Sequence, residues 1–111
     1  MHVQEKSLNK RIIKKLFTAH PWKLASIYEA GLAGEKTIFN DIQIVFGPMY
    51  IYAMFDNKTE KFDYTFLSEK LLKIRIENQN ALCRIESAND SQIIIHADYR
   101  DAHFIVELKK A

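Results

Sequence analysis

Cysteine, proline and glycine are all scarce in this chain of 111 residues, which has one, two and three of them respectively. A single cysteine excludes an internal disulfide framework, because such a framework needs pairs. The scarcity of glycine and proline argues against a long linker or a low-complexity tail. We therefore expect one domain spanning residues 1–111, a length close to the commonest domain size.

Long apolar segments are also missing from the sequence. No stretch approaches the roughly 20 apolar residues that a membrane span needs, and residues 1–6 do not have the apolar segment of a signal peptide. We therefore expect a soluble, cytoplasmic protein without a membrane partner. Hydrophobic residues nonetheless make up 48% of the chain. That share is enough for one core, so intrinsic disorder is not expected.

The positive charge is concentrated at the beginning of the chain. Residues 1–24 contain six lysine and arginine residues and one glutamate, a local charge of +5 within a net charge of +2. Such asymmetry can indicate contact with nucleic acid or an anionic surface. It can equally indicate a helix whose basic side lies over its own acidic sheet.

Helical periodicity is clearest in the same region. Apolar residues share one face at 100° per residue and basic residues share the other. The apolar residues are Leu8, Ile12, Ile13, Leu16 and Phe17, and the basic ones are Lys10, Arg11, Lys14 and Lys15. Ser7 can cap the first turn, and Pro21 disfavours helical geometry in the residue before it. The pattern predicts a helix over about residues 7–19.

The hydrophobic period then changes to two, which is typical of strands. Residues 22–33 could form a strand or a short helix. The pattern predicts strands from about residue 36 to 109, over residues 38–46, 49–55, 62–67, 72–77, 81–86, 92–96 and 103–108. Short connections favour an antiparallel meander. The predicted fold is α+β, with the amphipathic helix packed on a curved antiparallel meander of about six to seven strands. The alternative is a small half-open β-barrel with the helix across one end.

Seven aromatic residues lie between residues 46 and 66. If Phe55 pairs with Phe62, the side chains of Tyr50, Tyr52 and Met54 share the face opposite to these phenylalanines. A hairpin that is apolar on both faces needs cover on both sides, and one helix covers only one. We therefore predict that Tyr50, Tyr52 and Met54 contact a protein partner or a second copy in a homodimer. A register change of one residue would bury them instead.

Residues suited to chemistry are few. Cys83 alternates with apolar neighbours, as a buried free cysteine does. Residues His96, Asp98, Asp101 and His103 lie close together and offer metal-ligand atom types, but their spacing matches no standard zinc pattern. We expect a polar turn there, and neither a catalytic site, a metal site nor a cofactor.

These observations favour a small non-enzymatic interaction domain, regulatory or inhibitory in role, that binds a protein partner through the aromatic sheet face. One alternative is a nucleic-acid-binding protein that uses Lys10, Arg11, Lys14 and Lys15 on the helix. A second alternative is a ligand-binding or enzymatic domain with a pocket between helix and sheet. In that case His20, His96 and His103 would be the polar groups to consider first.

Overall fold

The computed structural model describes residues 10–31, 36–39 and 41–111. In these residues it contains one α-helix, α1, and nine strands, β1 to β9. Their bounds are α1 Lys10–Thr18, β1 Trp22–Glu29, β2 Thr37–Ile38, β3 Gln43–Phe46, β4 Tyr50–Phe55, β5 Lys58–Ser68, β6 Leu71–Ile76, β7 Gln79–Ala88, β8 Gln92–Tyr99 and β9 Ala102–Lys110.

Helix α1 confirms the predicted amphipathic helix. It ends at Thr18, one residue before the predicted end, while the predicted first turn and its cap Ser7 lie outside the described residues. Ile13 and Phe17, one turn apart, are buried, whereas Ile12 at the edge of the apolar stripe is 47% exposed. Within the described residues, no helix has the length and apolar character to cross a membrane.

The strands form a sheet that closes on itself. Each strand from β3 to β8 pairs antiparallel with the next, β3 pairs with β1, and β9 returns to β1, with Trp22 opposite Lys110 and Glu29 opposite Phe104. Together with β1 they make a closed eight-stranded barrel. The two-residue strand β2 pairs with β1 beyond the part that pairs with β3.

The predicted antiparallel meander is thus confirmed, but the prediction of an open curved sheet is wrong, because β9 pairs with β1. The predicted half-open barrel is nearer, although this barrel is closed and has more strands than the six to seven expected. The ambiguous residues 22–33 contain β1, and the predicted strand at residues 38–46 is divided between β2 and β3. Alternation along a strand assigns its faces, but it does not show which distant strand lies beside it. For that reason the closure was not visible in the sequence pattern.

The hairpin between β4 and β5 shows a second correction. Phe55 lies opposite Lys58, and Ile51 lies opposite Phe62, so the predicted Phe55–Phe62 pairing is displaced by four residues. Because four is an even number, the side chains keep the faces that were predicted.

Short turns explain this displacement. The turn residues Asp56 and Asn57 have positive φ angles of 50° and 61°, the backbone of a two-residue hairpin turn whose twist matches the strands it joins. The pairs Glu77–Asn78 and Arg100–Asp101 have the same combination of two positive φ angles. All three turns lie at one end of the barrel.

Helix α1 closes the opposite end. The ring of Phe17 contacts Phe46 and Phe66 edge-on, at centroid distances of 4.9 and 5.3 Å. Lys14 on the same helix donates from Nζ to the carbonyl of Pro48 at 2.7 Å. The helix therefore lies across one end of the barrel, as the alternative prediction had it.

Candidate functional site: an apolar cavity inside the barrel

Alternate residues of every barrel strand point to the interior, as the period of two requires. On β8 and β9, for example, Ile95, Val106 and Leu108 face inward. In β1 a register shift between Leu24 and Ser26 interrupts the alternation. This bulge keeps both Leu24 and Ile27 on the inner face, since a bulge adds one residue to one strand only.

These side chains do not fill the barrel. They surround a cavity of about 440 Å³ that strands β1 and β3 to β9 all help to line. Among the described residues, every lining side chain is aliphatic or aromatic except for the thiol of Cys83, and the phenol of Tyr99 is the one ring with a hydroxyl. No charged side chain of the described chain lines this cavity.

The two ends of the cavity differ. The end under α1 is sealed by fully buried side chains, Phe17 and Trp22 among them, that lie below the cavity and do not line it. At the end with the two-residue turns, the lining residues Phe55, Phe62 and Phe104 are only half-buried. The cavity therefore opens towards these turns.

Polar contacts at this open end connect the strands around it. Arg100 forms an ion pair with Glu77 at 3.5 Å, and its guanidinium lies 5.3 Å from the ring centre of Tyr99. The hydroxyl of Tyr99 donates to the carbonyl of Ile76 at 3.2 Å. The Tyr99 hydroxyl is therefore already bonded to the wall of the barrel.

Cys83 is the sulfur group inside the cavity, and it is not an activated nucleophile. Burial, with the Asp98 carboxylate as a second cause, raises the pKa of the Cys83 thiol to about 12. The thiol is protonated at neutral pH, and a protonated thiol is a poor nucleophile. It lines the cavity as a small apolar group.

Small side chains on the inner face were the signal for this cavity, and sequence reasoning missed it. Inward positions on β4, β7 and β8 are occupied by the small residues Ala53, Ala81, Cys83 and Ala97. Leucine or phenylalanine at these positions would fill much of the space. The sequence pattern showed that these residues face the core, but not that the core surrounds an empty volume.

The predicted aromatic contact surface lies where its pattern placed it, on the outer face of β4. Tyr50, Tyr52 and Met54 are half-buried, and the ring centres of the two tyrosines are 6.3 Å apart. The Nζ atom of Lys61 lies 4.4 Å from the centre of the Tyr50 ring. The residues opposite them on β5 are Asp63, Lys61 and Thr59. Contact with a partner stays a prediction.

The basic residues of α1 divide into two groups. Lys10, Arg11 and Lys15 are exposed. Lys14 binds the barrel through the Pro48 carbonyl, and its Nζ atom lies 5.5 Å from the centre of the Tyr64 ring. Lys14 thus helps to attach the helix, while nucleic-acid contact by this face stays a prediction.

None of the three histidines proposed for a pocket between helix and sheet lines the cavity. His20 lies at the closed end, where its ring is hydrogen-bonded to the carbonyls of Pro21 and Asp90. His96 and His103 lie on the outer wall and are hydrogen-bonded to each other.

Of the polar cluster predicted near the last turn, the structure brings Asp98 together with these two histidines, and Glu86 from β7 joins them. Sequence spacing could not reveal Glu86, because it lies on another strand. In the described part of the chain, no group of three or more histidine, cysteine or acidic side chains is arranged to hold a metal ion.

The barrel has counterparts among solved structures. A lipocalin-like protein from Bacteroides uniformis ATCC 8492 superimposes with a TM-score of 0.59 at 14% identity, over 85% of this chain and 98% of that one. An uncharacterized protein from Bacteroides eggerthii DSM 20697 gives a TM-score of 0.57 at 13% identity, over 83% of this chain and 98% of that one. No protein-family model and no curated protein matches the sequence. At these identities the likeness is one of fold, and the chain has a lipocalin-like fold: a mostly-β, closed, eight-stranded antiparallel barrel with one short N-terminal helix.

Proposed function

We propose that this protein binds one small, neutral, apolar molecule inside its barrel. The observation that carries the proposal is the cavity of about 440 Å³ with its uncharged apolar lining. Ligand pockets in proteins commonly measure roughly 300–1,000 Å³. An eight-stranded barrel is just wide enough either to be filled by side chains or to hold one small ligand, and this interior supports the second case.

The lining also defines the chemical class of the ligand. A carboxylate or an amine inside the cavity would lose its hydration without gaining an ionic partner, and burying such a charge is costly. Binding of an apolar molecule is favourable for two reasons. The molecule leaves water, and it supplies the van der Waals contacts that the walls of an empty cavity lack. The ligand is therefore hydrocarbon-like in the part that enters the barrel.

Access to the cavity runs through the end with the two-residue turns. Phe55, Phe62 and Phe104 are half-buried at this opening. The opposite end is closed by Phe17 and Trp22, which have no exposed area. A ligand that enters between the turns meets these aromatic rings first.

The neutral fluorescent probe N-phenyl-1-naphthylamine tests this function. Ala81→Phe introduces a ring into the cavity, whereas the control Leu82→Phe introduces the same ring on the outer face, one residue along β7. We expect saturable binding of one probe per chain, weakened at least tenfold by Ala81→Phe and unchanged by Leu82→Phe.

Circular dichroism and thermal unfolding establish that both variants are folded, since added bulk in a core can cost about 1–3 kcal/mol. A wild-type protein that does not enhance the fluorescence of the probe contradicts the proposal. Equal probe affinity in the folded Ala81→Phe variant and the wild type contradicts it as well.

A further inference from the structure

Four polar side chains form a continuous hydrogen-bonded row across strands β7, β8 and β9 on the outer wall. Glu86 is bonded to Nε2 of His96. Nδ1 of His96 lies 2.9 Å from Nε2 of His103. Nδ1 of His103 lies 2.7 Å from the carboxylate of Asp98. The two imidazoles thus stand between two carboxylates.

The hydrogen atoms of this row can be assigned by elimination. An ionised carboxylate only accepts hydrogen bonds. His96 therefore donates from Nε2 to Glu86, and His103 donates from Nδ1 to Asp98. One hydrogen remains for the contact between His96 Nδ1 and His103 Nε2, because one of these nitrogens must donate and the other accept. A single proton therefore lies between His96 Nδ1 and His103 Nε2. Without that proton, each of the two nitrogens has a lone pair that can act as a ligand.

We propose that these two nitrogens, His96 Nδ1 and His103 Nε2, bind a divalent transition-metal ion in place of the shared proton. Zinc–imidazole bonds measure about 2.0–2.1 Å and zinc sites are tetrahedral, so two nitrogens on one ion stand roughly 3.3–3.4 Å apart. The observed separation is 2.9 Å. The two nitrogens are therefore within about 0.5 Å of the spacing of adjacent zinc ligands, and a small outward tilt of each ring both widens their separation and directs the lone pairs to one ion.

The carboxylates are the second argument for this site. Histidines that bind metals donate their other ring nitrogen to a carboxylate or carbonyl, which fixes the ring and raises its basicity. Glu86 and Asp98 occupy these two positions. Both carboxylates are exposed, with 52% and 66% of their side chains accessible, so they can follow the rings when these tilt.

Imidazole ligands favour zinc, copper or nickel over magnesium and calcium, which prefer oxygen. The described residues provide no third ligand in a preformed arrangement, and water completes the coordination. The site lies outside the barrel, on the face of β8 opposite to Ile95 and Ala97, which line the cavity. Metal binding here is therefore independent of the proposed apolar ligand.

Calorimetric titration of the full chain with zinc chloride tests the proposal. We expect one ion per chain. The substitutions His96→Gln and His103→Gln should each lower the affinity at least tenfold. Glu86→Gln and Asp98→Asn should each lower it by about tenfold, as outer-shell changes do. The matched control is the double variant His2→Gln/His20→Gln, which changes the other two histidines of the chain and should bind zinc as the wild type does.

A second measurement on the wild-type protein identifies the ligand atoms even if a variant fails to fold. In nitrogen-15 spectra of the histidine rings, zinc should shift His96 Nδ1 and His103 Nε2 and leave the two carboxylate-bound nitrogens protonated. If zinc changes the nitrogen-15 chemical shifts of only His2 or His20, the proposal is overturned. A wild-type chain that takes up no zinc, or an affinity that His96→Gln leaves unchanged, overturns it as well.

Discussion

The indole nitrogen of Trp22 donates a hydrogen bond of 2.9 Å to the backbone carbonyl of Phe17. Both side chains are completely buried. The last four carbonyls of a helix have no partner within the helix, and this bond satisfies one of them. It also connects the last turn of α1 to the first residue of β1. The seal at the closed end of the barrel is therefore held by a polar contact as well as by apolar packing.

Replacing Trp22 by phenylalanine should lower the free energy of unfolding by roughly 1–3 kcal/mol, because the Phe17 carbonyl stays buried without its donor. Urea denaturation measures the loss. Tyr28→Phe, at the other end of β1, is the control and should stay within about 0.5 kcal/mol of the wild type. A Trp22→Phe variant as stable as the wild type would show that the bond contributes nothing.

The turn residue Asn78 has a φ angle of 68°, a left-handed conformation that glycine and asparagine tolerate and β-branched residues avoid. Asn78→Gly should leave the melting temperature unchanged or raise it. Asn78→Val should cost about 1–2 kcal/mol. The control Gln79→Val changes the next residue, which is the first residue of β7 and should accept valine without loss. Equal stability of the two valine variants is the result that contradicts this prediction.

Alkaline pH should destabilise the barrel through Cys83. Burial raises the pKa of its thiol from 9.0 to about 12, so the folded state favours the neutral form. This contribution is complete below pH 9 and is lost as the pH rises towards 12, because the unfolded chain releases the proton first. Burial also raises the pKa of Tyr64, which adds to the loss in the same direction.

Chemical denaturation of the wild type and of Cys83→Ala, at a series of pH values from 8 to 11, measures this effect. The variant should lose less stability over that range. Its stability at pH 8 serves as the reference, because removing the sulfur also enlarges the cavity. Parallel pH profiles for the two proteins would exclude Cys83 as the cause.

The outer face of β4 gives a prediction about association. If Tyr50, Tyr52 and Met54 form a contact surface, the double variant Tyr50→Ser/Tyr52→Ser should associate more weakly than the wild type and keep its fold. Sedimentation equilibrium measures association between copies. Leu82→Ser removes an exposed apolar side chain from another strand and is the control. Unchanged association of the tyrosine variant refutes a dimer through this face.

Much of the fold could be predicted because local patterns control it. The 3.6-residue period of Ile13 and Phe17 predicted the helix, and Pro21 predicted where it ends. The period of two placed Ile51 and Ala53 on the inner face and Tyr52 on the outer face, although the pairing itself was displaced by four residues. Side-chain alternation depends on neighbours in sequence, so the predicted faces stay correct even when the predicted strand pairing is wrong.

The enclosed volume of the cavity and the complete histidine row could not be predicted, because both depend on residues far apart in the chain. The cavity exists only because β9 pairs with β1. The row needs Glu86, which reaches His96 across a strand boundary. The cover of the inner face of the aromatic hairpin depends on the same closure. The curved sheet itself covers the inner side of Phe46, Tyr64 and Phe66.

The pairing of β1 with β9 has a consequence for biosynthesis. Trp22 of β1 and Lys110 of β9 are partners, so β1 leaves the ribosome long before β9 has been synthesised. Until then β1 and β8 each expose an unpaired edge, and such edges recruit strands from other molecules. Contacts between distant segments also form slowly. Deletion of β9 would leave both edges permanently open and make the remaining chain a template for aggregation.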